Sequence, residues 1–308
     1  MNQHIKNELR GGIQDRLKKF KKDDPLIIIP IYNAYHCVRK CIGSILKTTA
    51  SNIPILAIDD ASSENKISKF LENTSMNHRN FIYMRNQSNI GFVKTVNLAF
   101  KLSDPHDVVV INSDIIVPPK WLKRLRSAAY FHPTIATATP FTNNGTMISI
   151  PYRNKPMKRL IKNMTISQMD SVVERSSLKL RPVIPTAIGH CMFIKRSALN
   201  LVGYFDKRFS PGYGDEVDFS QRAIAQGFTH VLADDLFIFH NGACSFGTKE
   251  RFLLQAKHEK IINKRYPLYA SMVTKVANDP RNSLARAIER AKEALLGYKI
   301  AIDAKKTV

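Results

Sequence analysis

The polar residues of this chain are gathered in short stretches whose side chains suit phosphate and proton chemistry. Tyr32-Asn33, Asp59-Asp60, Asn86 with Asn89-Ile-Gly91, and Asn112-Ser113-Asp114 each follow a short apolar run. A carboxylate placed like Asp114 can hold a hard divalent cation, which in turn bridges phosphate oxygens. Farther on, Gly212-Tyr-Gly-Asp215-Glu216-Val-Asp218 sets three carboxylates within four residues of a glycine-flanked loop. Acidic residues also cap helix starts. Of Glu216 and Asp218, one suits a general base and the other a helix-start anchor. His240 follows an extended apolar stretch and is a candidate metal ligand, imidazole being a common one.

Other chemistries are disfavoured. Cys37-x3-Cys41 and His240-x3-Cys244 lack the spacing of structural zinc sites, so buried free thiols are expected. No GxGxxG or GxxxxGK[ST] occurs, which argues against a dinucleotide-binding Rossmann enzyme and a P-loop NTPase.

The elements that position these residues read as follows. Residues 26–31, 55–58, 81–84 and 108–111 are short, β-branched and apolar, hence buried strands. They recur every 26 to 29 residues, the length of a strand–helix–strand unit. Helical stripes lie between them: Val38, Ile42, Ile45 and Leu46, then Phe92, Val96, Ala99 and Phe100, then Trp121, Leu122, Leu125 and Ala129. The alternation predicts an α/β fold: a single domain with a mostly parallel sheet flanked by helices. In such sheets ligands bind beyond the carboxyl ends of the strands, where the polar clusters stand. Residues 140–185 hold few apolar periods and are expected to be loops. Residues 191–195 and 231–239 read as extended and 217–225 as helical. From 249 onward the chain reads as a helical extension broken at Pro267 and Pro280. The expected division is a basic N-terminal extension at 1–24, a domain at 25–248 and a helical basic extension at 249–308.

Composition bounds the partners. The chain has 308 residues and formal net charge +22, and it is 44% hydrophobic, enough for a buried core. The apolar run Leu26–Ile31 is far below the roughly 20 residues of a membrane span, and residues 1–10 hold no signal-like apolar stretch. A cytoplasmic location is therefore expected. A basic chain suits phosphate-bearing ligands or an anionic surface. Residues 249–308 carry 14 basic and 6 acidic side chains, and 153–181 is also basic.

Taken in order, the motifs resemble the inverting family 2 glycosyltransferases with the GT-A type fold. Ile29-Pro-Ile-Tyr-Asn33 is similar to that family's opening strand and turn, and Ile58-Asp-Asp-Ala-Ser62 to its nucleotide-binding segment. Asn89-Ile-Gly-Phe92 with Asn97 resembles its next helix start, and Ile111-Asn-Ser-Asp-Ile115 stands where it has a D-x-D metal motif. Asp215-Glu-Val-Asp-Phe-Ser-Gln-Arg-Ala223 stands where it has its catalytic loop, and His240 with Ser245-Phe-Gly247 near its late histidine. The likeness covers residues 25–248. Residues 185–191 and the tail through Arg265-Tyr-Pro267 resemble a bacterial subgroup associated with surface polysaccharides.

The resemblance implies transfer of a sugar from a nucleotide-diphosphate sugar to an acceptor hydroxyl with inversion, in polysaccharide or glycan synthesis. It assigns nucleotide-sugar binding to Tyr32, Asn33, Asp60, Asn89, Asn112 and Ser113, with Asp60 on the base. Asp114 and His240 would hold Mn²⁺ or Mg²⁺, and Glu216 would be the catalytic base. The implied partners are the donor and a glycan or lipid-linked acceptor; the basic excess of 249–308 adds an expected peripheral contact with an anionic membrane at the inner face of the cell, and the carboxylate clusters at the strand ends argue against nucleic acid. Two positions depart from the pattern: Asn112 replaces the first Asp of the metal motif, and Glu216 replaces the catalytic Asp. The rival readings are a nucleic-acid-binding basic protein, a nucleotidyltransferase and a non-catalytic family member.

Overall fold

A computed structural model describes residues 11–155, 157, 159–242 and 248–306. Strands β1 (Leu26–Ile31), β2 (Ile55–Asp59), β3 (Phe81–Arg85) and β4 (Val108–Ile111) lie parallel in the order 3-2-1-4. The register pairs Ile31 with Asp59 and Asp59 with Arg85, so these strands end level with one another. Chain direction reverses its spread between β1 and β4, the switch point at which open α/β sheets bind ligands.

The sheet continues through β8 (Cys191–Ile194), β6 (Ile135–Thr142), β9 (Thr229–His240) and β5 (Ile115–Ile116), with β7 (Val183–Ile184) also on β9. Strands β5, β7 and β8 are antiparallel to their neighbours and the other six share one direction, so the sheet is mostly parallel, as expected.

Helices cover both faces. Ile27, Ile29 and Ile31 of β1 are buried under α2 (Tyr35–Thr48), α3 (Asn65–Asn77) and α5 (Trp121–Ala129). Leu26 and Ile28 point the other way, against α1 (residues 11–17), α4 (Phe92–Leu102), α7 (Arg196–Val202) and α8 (Asp215–Ala225). The alternation of one strand between two cores follows from its period of two.

The stretch 140–185 is not the run of loops its composition suggested. It holds the end of β6, a helix α6 (Ile166–Ser176) and β7. The start of α6 is a capping box, in which Thr165 and Gln168 satisfy each other's backbone N–H. Met169, Val172 and Val173 of α6 pack on Phe237 of β9. The C-terminal helices are α9 (Thr248–Arg265), α10 (Tyr269–Asn278) and α11 (Ser283–Lys306). Leu284, Ile288, Ala291 and Leu295 of α11 join the core around α6, and Ile262 of α9 joins the core around α8. Among the described residues no helix is long and apolar enough to cross a membrane.

His230 stitches three elements together. On β9, its Nδ1 lies 2.7 Å from Thr137 Oγ1 of β6 and its Nε2 lies 3.1 Å from the Ser220 carbonyl of α8. Burial pushes its pKa down to about 4. A depressed pKa gives stability that is present above the unfolded value near 6.5 and lost as pH falls through the folded one. The thermal midpoint should therefore drop between pH 6.5 and 4, His230 alone contributing on the order of 3 kcal/mol. His230→Asn should flatten that slope in melting curves recorded across the window. An identical slope in both proteins would remove His230 from the account.

Candidate active site

The loops leaving β1 and β2 form one unit. Asn33 and Ala34 adopt left-handed backbone (φ 55° and 62°). Asn33 N–H donates to Ser62 Oγ (2.9 Å), while Asn33 Oδ1 accepts from Ser63 N–H (2.9 Å) and its hydroxyl (3.1 Å). Glu64 accepts from Ala34 N–H (2.6 Å) and Tyr35 N–H (3.3 Å), a carboxylate at the positive end of α2. Tyr32 stands half-buried beside this junction.

Asp59 is fully buried, paired with Arg85 and accepting from Ser62 N–H at 2.8 Å. Asp60 is also buried. One oxygen accepts from Asn86 Nδ2 (2.8 Å) and Ile90 N–H (2.9 Å), the other from Gly91 N–H (2.8 Å). Asp60 thus folds the turn after β3. Asn89 is exposed, and its Oδ1 also accepts from Gly91 N–H at 3.0 Å. Gly91 has φ 84°, and a Cβ there would lie 2.9 Å from Pro211 Cα. Phe92 N–H donates to the Pro211 carbonyl at 2.8 Å. This close approach joins the turn that holds Asn89 to the loop that leads into α8.

The second group forms where β5 meets the end of β9. Ile115 pairs with His240, and Asn241 N–H donates to the Asp114 carbonyl at 3.0 Å. That pairing sets His240 Nε2 3.2 Å from Asp114 Oδ1. Asn143 fixes the His240 backbone, donating to its carbonyl (2.9 Å) and accepting from its N–H (2.7 Å). His240 Nδ1 lies 3.0 Å from the Asn144 carbonyl, which can only accept, so Nδ1 carries the hydrogen. A ring protonated at both nitrogens would pair with the Asp114 carboxylate, and a neutral one turns its Nε2 lone pair toward it. Two lone pairs so close repel unless a cation or a proton lies between them.

These residues fit a divalent cation. Adjacent ligands of an octahedral ion at about 2.1 Å stand about 3.0 Å apart. Asn112 Nδ2 lies 3.5 Å from His240 Nε2, and Ser113 is buried beside it. Among the described residues no group of three or more His, Cys, Asp or Glu gathers around one point. Asp114 and His240 would be the ion's protein donors, and phosphate oxygens and water would have to supply the rest.

His190 escaped the sequence reading; its only signal was a histidine directly before a strand. Its ring is stacked on His240, with centroids 5.7 Å apart. It is buried, and among the described residues neither ring nitrogen has a hydrogen-bond partner. Burial lowers its pKa, favouring the neutral ring. The His190 carbonyl accepts from Asn112 N–H at 3.0 Å, which ties β8 to this group. Cys41 is buried, with its thiol against the Asn112 carbonyl at 3.6 Å, and Cys37 accepts from Asn241 Nδ2 at 3.2 Å. Both are free thiols; Cys244 and Ser245-Phe-Gly247 lie outside the described residues.

The third group is the start of α8, after Gly214 at φ 88°. Asp218 is fully buried and saturated: it accepts from Arg222 Nε (2.9 Å) and the Tyr266 hydroxyl (2.8 Å) and pairs with Arg265. It is the anchor that ties α8 to α9. Glu216 is half-buried, and among the described residues no Lys or Arg pairs with it. It borders Gly189, where a Cβ would lie 3.9 Å from Glu216 Cδ. Burial raises its pKa, against the pull of the first-turn amides. Asp215 is raised further, by burial and then by the Glu216 charge. The Tyr269 phenol is raised by burial and then by the same charge. His258 clamps the loop from α9, its Nδ1 lying 3.0 and 2.8 Å from the Gly212 and Tyr213 carbonyls. Gly189 and His190 are consecutive, so Glu216 and the Asp114–His240 pair flank one short segment.

Comparison with known proteins adds the following. Residues 26–203 match the family model described as Glycosyl transferase family 2. A glycosyltransferase of Haemophilus influenzae, itself uncharacterized, is 26% identical over 99 residues, 32% of this chain and 30% of that one. Glycosyltransferase GlyA of Streptococcus pneumoniae is 29% identical over 104 residues, 33% of this chain and 15% of that one. The matches thus span less than a third of those relatives' length. Among solved structures, GalNAc-T7 with UDP, GalNAc and Mn²⁺ superposes with TM-score 0.57 at 13% identity, over 93% of this chain and 58% of that one. The mannosyltransferase PcManGT of Pyrobaculum calidifontis, with GDP-Man and Mn²⁺, gives 0.56 at 16% identity, over 96% and 85%. Both share the fold.

The contact at Gly91 is open to test. Gly91→Ala adds a left-handed non-glycine residue and a clash with Pro211 backbone, so it should cost at least 1–2 kcal/mol, roughly. Gly43→Ala, in α2 with open space around it, should be neutral or stabilising by up to about 1 kcal/mol. Thermal melts of the two variants give the comparison; equal midpoints would contradict the packing described.

Proposed function

The chain belongs to glycosyl transferase family 2, and from that premise we propose that it moves a sugar from a nucleoside-diphosphate donor to an acceptor hydroxyl with inversion. The reading is carried by one observation. A carboxylate and an imidazole face each other at 3.2 Å with the ring nitrogen behind them already committed, and a separate carboxylate, Glu216, borders Gly189, next to the His190 whose ring stacks on that imidazole.

Asp60 holds the turn that borders the nucleotide. Donors from Asn86, Ile90 and Gly91 fix its carboxylate, so Asp60 shapes the edge against which the base sits. Tyr32, Asn33 and Asn89 line the same side, and Asn112 and Ser113 face the ribose and phosphates. Asp114 and His240 hold Mn²⁺ or Mg²⁺. Such an ion, when bound, neutralises charge on the leaving diphosphate. The two solved structures of this fold with nucleotide and Mn²⁺ support that assignment.

Glu216 accepts the proton of the acceptor hydroxyl as that oxygen attacks the anomeric carbon. The bond to the diphosphate breaks on the opposite face, and single displacement inverts the centre. Asp218 is excluded from this role by its three partners. The raised pKa of Glu216 makes it a stronger proton acceptor when ionised. The proposal extends to glycan or polysaccharide synthesis on a glycan or lipid-linked acceptor, at the cytoplasmic side of the membrane. In it, 25–248 is the catalytic unit and the basic helices of 249–308 flank it.

Glu216→Gln keeps shape but accepts no proton, so turnover should fall about 10²–10⁴-fold. Donor affinity by calorimetry should hardly change. Because only ionised Glu216 is a base, kcat of the unaltered chain should decline as pH falls through its raised pKa, and the residual rate of the variant should lack that limb. Full turnover in Glu216→Gln would assign the base elsewhere.

Asp114→Ala should abolish the Mn²⁺-dependent part of donor binding. Titration of UDP and GDP with and without Mn²⁺ reads this, and an undiminished Mn²⁺ effect would dismiss the Asp114–His240 site.

A further inference from the structure

The outward face of α9 carries a pattern that donor binding does not use. Phe252 and Leu253 are 65% and 66% exposed, among the most exposed large apolar side chains described. Lys257, Lys260 and Lys264 are exposed on the same helix. At 100° per residue these five side chains fall within one arc of about 140°. His258 and Ile262, on the other side, are buried. Among the described residues none of the three lysines pairs with a carboxylate. An apolar pair at one end of a stripe of such lysines is complementary to an anionic lipid surface met by this face. The apolar side chains enter the acyl boundary, and the ammonium groups stay with the head groups.

The position of this face matters for the reaction. His258 touches the Gly212 and Tyr213 carbonyls, in the loop that leads to Glu216. Phe252 precedes it by six residues, about 9 Å of helix. The docking face and the brace on the loop that leads to Glu216 thus belong to one helix.

We propose that the outward face of α9 docks the protein on an anionic membrane, with Phe252 and Leu253 as the inserted pair and Lys257, Lys260 and Lys264 as the charged contacts. The proposal rests on the glycosyltransferase reading only for its purpose, the delivery of a lipid-borne acceptor to Glu216. The docking itself is measured without turnover.

The test is co-sedimentation of the full chain with vesicles of phosphatidylcholine, alone or mixed with phosphatidylglycerol. Binding is expected to the mixed vesicles and to fall as salt is added. Phe252→Ser with Leu253→Ser should weaken it at least tenfold, roughly. Lys257→Ala, Lys260→Ala and Lys264→Ala together should weaken it about a hundredfold. Two controls separate this face from bulk charge and greasiness: Phe131→Ser, at an exposed phenylalanine elsewhere, and Lys66→Ala with Lys69→Ala and Lys123→Ala. Both should have much smaller effects. The proposal fails if the chain ignores mixed vesicles, if the α9 sets bind like the unaltered chain, or if the controls lose as much. It also fails if gel filtration shows a dimer that the Phe252/Leu253 variant dissolves, since the face then meets a second copy. Calorimetric donor binding by the same proteins reports on the glycosyltransferase reading separately, and the α9 variants should match the unaltered chain there.

Discussion

Two residues of β5 hold the candidate site together. Ile115 and Ile116 pair with His240 and Phe239, and this short antiparallel contact brings Asp114 against an imidazole far away in sequence. The end of β9 must be aimed correctly for it to form. The β6–β9 register shifts between Pro140, opposite Ala233, and Phe141, opposite Phe237. The extra residues of β9 form a bulge, and bulges redirect strands. Asp234 and Asp235 lie in that bulge, buried and paired with Arg181. Arg124 donates to the Asp235 carbonyl at 2.7 Å and pairs with Asp170, which accepts from Phe237 N–H. Buried ion pairs are poor evidence of net stability. Here they satisfy the polar groups of a redirected strand, and three residues beyond Phe237 that strand delivers His240.

The carboxylates divide by whether the fold has already used them. Asp59, Asp60 and Asp218 are buried with their oxygens occupied by backbone N–H, amide, hydroxyl or guanidinium donors. Removing a partner from any of them would leave a buried charge, so they act as joints: β2 to β3, the turn at Gly91, and α8 to α9. Asp114 and Glu216 are different. Asp114 faces a histidine whose other nitrogen is committed, and Glu216 faces the Gly189–His190 segment without a cationic partner among the described residues. Free valence on a rigid frame is what binding and proton transfer need, and the saturated carboxylates supply the frame.

Helix α9 works on both its faces. Inward, His258 and Arg265 grip the loop and the helix that carry Glu216, so α9 braces this part of the candidate site. Outward, it presents apolar and cationic side chains together. The positive charge of the chain thus has a local arrangement at this helix, in addition to its general preference for phosphates.

The sequence alone determined the parallel frame. Strands of four to six apolar residues at regular spacing, with amphipathic stripes between them, leave few alternatives to a sheet covered on both faces, and local periodicity is a property of the chain. It also determined which segments end in polar residues, because strand ends and turns have their own residue types. It misjudged 140–185, where α6 hides its apolar positions among Ser, Gln and Arg and is made helical by a capping box and by packing on β9. Only the tertiary structure decided the roles of the acidic residues. Asp215, Glu216 and Asp218 are nearly equivalent as letters. Arg265 and Tyr266, on a distant helix, turn Asp218 into an anchor and leave Glu216 open. Likewise His190 and Asn143 gain meaning only when β8 and β6 are laid beside β4 and β9. Such roles depend on which partners reach a buried group, and long-range pairing leaves no local pattern to read.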